Sequence, residues 1–300
     1  PELGTGVFGM AYSTGTDPVF APGFPVDFTT LRRPGTTENW TTSGRLIQGK
    51  YLHLNSTAAE NNDSNIVFDY NNGFQDSTGF PSTYLSWSWK RHAGFDVVAY
   101  KGDGSSPRQL AHSMNNPIEM IWTKNRDSTA GWRIWHKGLN GGGSNAAKYY
   151  IDFDGANQTA NGDIYGGQAG TLPTSTHYTV GGNAGINEDG SYHLALLFSS
   201  VSGISKVGSY TGNGSASGQT ITLGFQPRFL MLRPLNNYSF VLDTTRGWGS
   251  GNDEWLALDL NAAQSDSLDF GAPTSTGFTV PDDNGIWNSN GSTYLYYAHA

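Results

Sequence analysis

The stretch IDFDG, from Ile151 to Gly155, sets two carboxylates two residues apart. On a β-strand, side chains at i and i+2 share one face about 7 Å apart. Two acidic groups roughly 5 to 9 Å apart suffice to cleave a glycosidic bond. Asp152 and Asp154 are therefore the first chemistry to weigh. Asp154, however, has counterparts in two related stretches, Asn55 and Asp259. An acid or amide at every copy suits a residue that closes a strand by bonding nearby backbone groups. Strand closure is the expectation here, not catalysis.

Other chemistry is thinly represented. There is no G-x-S-x-G elbow, no Walker-type loop and no H-E-x-x-H. The 7 histidines are scattered, without i,i+4 spacing. His53 aligns with Asp152, which predicts a strand position rather than a ligand. YKGDGSS, from Tyr100, holds an incomplete calcium pattern. NDE (Asn252 to Glu254) and PDDNG (Pro281 to Gly285) read as solvated turns. The expectation is a protein that is not an enzyme, with no catalytic residue, no metal site and no cofactor.

Aromatics are abundant, with 9 Trp, 15 Tyr and 15 Phe. With only 14% charged residues and little helical patterning, a fold needs most of these rings inside. Trp40, Trp87, Trp89 and Trp132 are core candidates. Trp248 in TTRGWGSGND and Trp287 in DDNGIWNSNG sit in Gly/Asn-rich loops without equivalents in the first unit. These two are the candidate exposed, ligand-binding contacts. Arg45, Lys137 and Arg246 recur at related places, which predicts structural ion pairs or backbone caps.

The elements that position these residues come in three passes. KYLHLNSTAAE (Lys50 to Glu60), KYYIDFDGANQ (Lys148 to Gln158) and EWLALDLNAAQ (Glu254 to Gln264) repeat one order of residues. Before each, a proline enters an apolar run ending in a basic residue: Pro25 to Arg32, Pro117 to Lys124, Pro227 to Arg233. An aromatic follows, matched here as Trp40, Trp132 and Phe240. Each pass closes on a strand-like tail: TYLSWSWK, YHLALLFS, TYLYYAHA. Strict alternation puts Leu85, Trp87 and Trp89 on one face; Leu194, Leu196 and Phe198, then Leu295, Tyr297 and His299, match them. Asn72-Gly73, Asp189-Gly190 and Asn284-Gly285 read as hairpin turns.

These patterns predict an all-β chain of three tandem antiparallel β-sandwich, jelly-roll-like repeats over 1–92, 93–203 and 204–300. The second carries the longest loops, GLNGGGSNAA and GGQAGTLPTSTH. The junctions, at 90–96 and 199–206, are short, so neighbouring units should touch. A cluster of the three units about a pseudo-threefold axis and a trimer of chains both fit this pattern.

Composition excludes some partners. A net charge of −8 leaves no basic footprint for nucleic acid. The longest apolar run, near HLALLFSS, is far short of a bilayer span, so no membrane insertion is expected. With 0 cysteines there are neither disulfides nor thiolate sites. The start PELGTG, without Met or an apolar leader, is expected of a piece of a longer chain.

The third pass, from VGSYTGNGSASG through DEWLALDLNAA to STYLYYAHA, resembles a repeat of unknown function in bacteriophage tail-fibre-like virion proteins, common in marine and cyanobacterial phages. The second is similar through KNRDSTAGWRIWHKGLNGG and NEDGSYHLALLFSS, the first through KYLHLNSTAAENNDS and STYLSWSWK. In the first, RRPGTTENW departs from the usual run, as expected where that unit meets a neighbour. The resemblance implies a virion structural protein of the tail fibre, tail or capsid surface. It would serve in viral attachment and receptor binding, contacting host surface polysaccharide through loops, and assemble with other virion subunits, as a homotrimer. A decoration or scaffold module is the alternative, and a glycan-cleaving tailspike the third reading. The resemblance carries no catalytic or binding residues to transfer.

Overall fold

Each closing tail is a strand, and each lies second from the edge of a six-stranded antiparallel sheet. In the computed structural model, which describes residues 2–76, 80–153, 155, 157–282 and 284–300, the three sheets share one strand order. From edge to edge the first runs Phe8–Tyr12, Leu85–Trp89, Phe28–Arg32, Thr41–Gly44, Lys50–His53 and Asn61–Asn62. The second runs Phe95–Lys101, Tyr192–Phe198, Met120–Asn125, Arg133–His136, Tyr149–Asp152 and Thr159–Ala160. The third runs Ser205–Thr211, Thr293–His299, Phe229–Pro234, Phe240–Asp243, Asp253–Ala257 and Ser265–Leu268. Helix among the described residues is limited to the single turn Ala184–Asn187 and short 3-10 stretches. The chain is all-β, as its alternation predicts.

Register makes the repeat quantitative. Trp89 lies opposite Phe28, Phe198 opposite Met120, and His299 opposite Phe229. The inward triplets therefore occupy equivalent places, and all are buried. They do not serve three separate cores. Leu85, Trp87, Trp89, Leu194, Leu196, Phe198, Leu295 and Tyr297 belong to one apolar cluster. His299 joins it through the Phe8 ring, 4.7 Å away. Phe28 meets Phe95 at 6.2 Å between the first and second sheets. Phe198 meets Tyr297 at 5.0 Å between the second and third, and Phe8 meets Phe229 at 5.0 Å between the third and first. Three sheets thus turn one face each toward a common axis. The pseudo-threefold cluster exists within a single chain.

The other face of each sheet is buried as well: Phe28–Arg32, Leu85–Trp89 and Phe229–Pro234 are buried along their whole length, Arg32 and Arg233 included. In the third unit a small sheet of Gln219–Thr222, Gly277–Val280 and Pro273–Thr274 covers it, over a second cluster that includes Leu230, Leu232, Phe278 and Tyr296. In the second unit Arg108–Ala111 pairs with His177–Val180. In the first, among the described residues, isolated bridges mark that layer, Phe20 with Phe74 and Val67 with Gln75. Each unit is sandwich-like, and the far face of its six-stranded sheet belongs to the common centre.

The three dipeptide turns are not two-residue hairpins. Val67 and Gln75 pair across a longer loop. Gly73 is needed for closeness instead, since a Cβ there would stand 2.1 Å from the Phe20 carbonyl oxygen. Gly190, at φ +81°, follows the Ala184–Asn187 turn and leads into the closing strand. Asn284 caps its own turn, its side-chain oxygen accepting the Ile286 N–H at 2.8 Å. After Gly190 and Asn284 the closing strands pair with partners remote in sequence, which a local turn signal cannot name.

Candidate functional site

The residues nominated for chemistry are engaged in structure. Asp152 lies opposite Arg133 across two strands and is ion-paired with it. Asp154 falls outside the described residues. Its counterparts act as strand-closing caps: Asn55 accepts the Trp40 N–H at 2.9 Å, and Asp259 accepts the Ser239 N–H at 3.0 Å. Asp103, in the stretch with a partial calcium pattern, is held down to about 2 by the hydroxyl and N–H of Ser105. No group of three His, Asp or Glu suited to a metal occurs among the described residues. Asn252 to Glu254 is not a solvated turn. Asp253 is buried and opens a strand, its carboxylate accepting the Gly249 and Phe270 N–H groups at 2.9 and 2.8 Å.

Trp248 and Trp287 are corrected by the fold. They are 3% and 2% exposed and line the third unit's outer cluster. Trp248 donates its indole N–H to the Gly271 carbonyl at 2.8 Å, and Trp287 packs against Phe270 with ring centroids 4.5 Å apart, tilted by 40°. Gly- and Asn-rich flanks let these loops fold tightly inward, and a large ring gains more by burial than by solvent contact. Trp40, Trp87, Trp89 and Trp132 are buried as expected.

Arg45 and Lys137 pair with Asp27 and Glu119, at 3.2 and 2.5 Å. Arg246 pairs with Asp243 at 2.7 Å. The structural reading of this set holds. A second set of recurring cations, at the ends of the apolar runs, ties the units together. Arg32 donates to the carbonyls of Leu260, Asn261 and Ala262 in the third unit, at 3.3, 3.2 and 2.7 Å. Lys124 donates to the Thr57 carbonyl of the first unit at 3.3 Å. Arg233 donates to the Gly155 carbonyl of the second unit. The three links close a ring.

Tryptophans add a parallel set. Trp40 donates its indole N–H to the Ala257 carbonyl, and Trp132 to the His53 carbonyl, at 2.8 and 3.0 Å. Register puts Ala257, His53 and Asp152 at one equivalent place. At the position of Trp40 and Trp132 the third unit carries Ser239, not Phe240 as the sequence match suggested.

Arg233 and Asp259 are both nearly enclosed, 3.0 Å apart. Burial raises the Asp259 carboxyl and lowers the Arg233 guanidinium in spite of their attraction. Desolvation outweighs pairing in such a case, so removing one partner is costly. Arg233→Met is expected to destabilise the protein by about 3–5 kcal/mol in urea unfolding. The double variant Arg233→Met, Asp259→Asn should recover part of that loss. A single variant as stable as the parent would show that the link carries no load.

The seams differ in closure. Between the first and third units, the Gln264 N–H donates to the Pro34 carbonyl at 2.7 Å and the Glu38 N–H to the Asn261 carbonyl at 2.8 Å. The divergent RRPGTTENW stretch is thus a contact with a neighbour. Between the second and first, the equivalent Glu60 N–H donates to the Arg126 carbonyl at 2.8 Å, and the Glu60 carboxylate takes Arg126 and Lys50 at 2.7 and 2.6 Å. Between the third and second, the matching pair would be Gln158 and Leu235; no such bond forms among the described residues.

Open space collects at two seams. A cleft of about 320 Å³ lies at the seam of the third and second units, lined by Phe153, Gly155, Asn236, Asn237, Tyr238, Asp259 and Leu260. A second of about 350 Å³ adjoins it, sharing Asn236. A third, about 510 Å³, lies by Tyr12, Arg33 and Gln264 at the seam of the first and third. Tyr238 and Tyr12 are 45% and 42% exposed. Sequence reasoning passed over Tyr238. Its signal was that the aromatic in PLNNYSF stands one place early, outside the buried slot Trp40 and Trp132 fill.

The signature of the domain of unknown function DUF7483 matches residues 12–300. The chain belongs to that family. One DUF7483 match spans all three units, where the sequence comparison had taken a single unit as the family's repeat; a shared centre makes the three one body. No curated protein and no solved structure matches the chain.

Proposed function

We propose that this DUF7483 domain is a non-enzymatic virion component of bacteriophage, part of the tail fibre or receptor-binding apparatus, that contacts host surface glycan through loops. The observation that carries this reading is the placement of open surface. The exposed rings of Tyr12 and Tyr238 border clefts at unit seams, where loops from two units meet. Mixed apolar and polar clefts of a few hundred Å³ are suited to binding small segments of a ligand. The resemblance of all three units to phage virion repeats supports the setting.

The test is binding of the purified protein to host cells with intact or enzymatically stripped surface polysaccharide. Binding is expected to fall at least about tenfold on stripping, which corresponds to roughly 1.4 kcal/mol. Binding that ignores the polysaccharide and appears only with purified virions would replace adhesion by a decoration or scaffold role.

A further inference from the structure

We infer that the seam between the third and second units is a subsite for an uncharged oligosaccharide, with Tyr238 as its stacking platform and Asn236 as its central hydrogen-bonding group. This deepens the proposed adhesive role and rests on it for its biological setting. The chemistry stands on the cleft alone.

Three features converge there. The first is openness of a particular kind. Among the described residues this seam lacks the backbone bond that the other two make, and two clefts sharing Asn236 lie there. The two lie side by side across Asn236, an arrangement that can take consecutive sugar rings. The second is an available ring. Tyr238 is nearly half exposed beside the cleft, and its hydroxyl makes no hydrogen bond among the described residues. A tyrosine face offers an apolar plate for the C–H side of a pyranose, with a polar rim for its hydroxyls.

The third is the polar lining. Asn236, Asn237, Asn157, Gln158, Ser292 and Thr293 supply amides and hydroxyls. The Asn236 side chain is without a partner among the described residues. The oxygens of Asn237 and Gln158 already accept the Tyr238 and Asn140 N–H groups at 2.8 and 2.9 Å, which leaves Asn236 to present donor and acceptor together to adjacent sugar hydroxyls. Among the described residues the one carboxylate lining the clefts, Asp259, is 6% exposed and already bound to Arg233. Among the described residues no cation lines either cleft, and the net charge of −8 opposes an anionic sugar.

The experiment titrates the full chain with uncharged hexasaccharides of glucose, galactose, mannose and N-acetylglucosamine, with an oligogalacturonate hexamer as the acidic control. Binding is followed by calorimetry and by amide shifts. At least one neutral hexamer is expected to bind and the acidic one not to. Tyr238→Ala should weaken binding at least about tenfold and Asn236→Ala several-fold. Tyr192→Ala, an exposed ring that lines neither cleft, should leave it unchanged. Both tested side chains are exposed, so the variants should keep the parent's melting temperature. The inference is overturned if no neutral hexamer binds at millimolar concentration, or if binding survives Tyr238→Ala and Asn236→Ala together. If cells bind the parent and the double variant equally, this subsite falls and adhesion stands. If hexamers bind but cells do not, adhesion falls and the subsite stands.

Discussion

Taken from pH 7 to pH 4, the protein is expected to unfold, with most of the stability lost between pH 6.5 and about pH 4. The cause is buried histidine. Burial lowers His92 and His136 from 6.5 to about 4, and His299 to about 3. Their side chains are almost fully enclosed. In the folded state two of these rings are already committed as acceptors: His92 Nδ1 takes the Gly94 N–H at 3.2 Å and His136 Nδ1 the Gly138 N–H at 3.0 Å. Glu2 lies 3.8 Å from His92, but a ring nitrogen that accepts a hydrogen bond is not a cation, so this is no ion pair at neutral pH.

The sign follows from linkage. Above pH 6.5 folded and unfolded histidines are alike neutral, and these groups cost nothing. As pH falls, the unfolded chain takes up protons that the folded chain refuses, and stability declines until the folded values are reached. At about 1.4 kcal/mol for each pH unit of difference, His92 and His136 account for roughly 3 kcal/mol each and His299 for somewhat more. Half of that sum would rival a typical domain stability of about 5–15 kcal/mol. Tryptophan fluorescence against pH checks it. His136→Gln and His299→Gln should shift the midpoint downward; a midpoint at or below pH 3 in the parent would contradict the account.

The second large effect concerns excision. A fragment 204–300 is expected not to fold alone, although it holds a complete six-stranded sheet. Removing its neighbours would expose Phe229, Met231, Val241, Leu256, Leu258, Leu295 and Tyr297, which all belong to the shared centre. At roughly 1.5–3 kcal/mol for each buried side chain, the loss is on the order of 10–20 kcal/mol. That equals or exceeds the stability a domain of this size has to lose. The fragment should give a collapsed amide spectrum, and the full chain should melt in one transition seen alike by near- and far-ultraviolet dichroism. A well-dispersed fragment, or separated melting steps, would mean that the units stand by themselves.

Much of the fold was legible because strands write their faces at a period of two. Leu85, Trp87 and Trp89, with their two sets of counterparts, lie inward as alternation requires. What lies opposite an inward face is not written in the strand. Trp89 would read the same whether it met its own unit's second sheet or Tyr297 of another unit, as it does at 3.3 Å from indole to hydroxyl. Asp259 was readable as a strand-closing cap because its kind recurs. Trp248 and Trp287 were misread because flexible flanks say that a loop can turn, not which way its ring turns. Tyr238 was missed because one substitution, Ser239 in a tryptophan's slot, matters only once register is known.

That slot also bears on how such a body can diversify. Had identical polypeptides associated around the axis, any change at an interface would be copied to all three, and a trough opened at one would be opened everywhere. Covalent linkage lifts that constraint. One interface has been cemented by charge at Glu60, a second bridged by main chain at Pro34, and the last left ajar beside Asn236. A gene that holds every third of the wheel can specialise one spoke while the others keep it round.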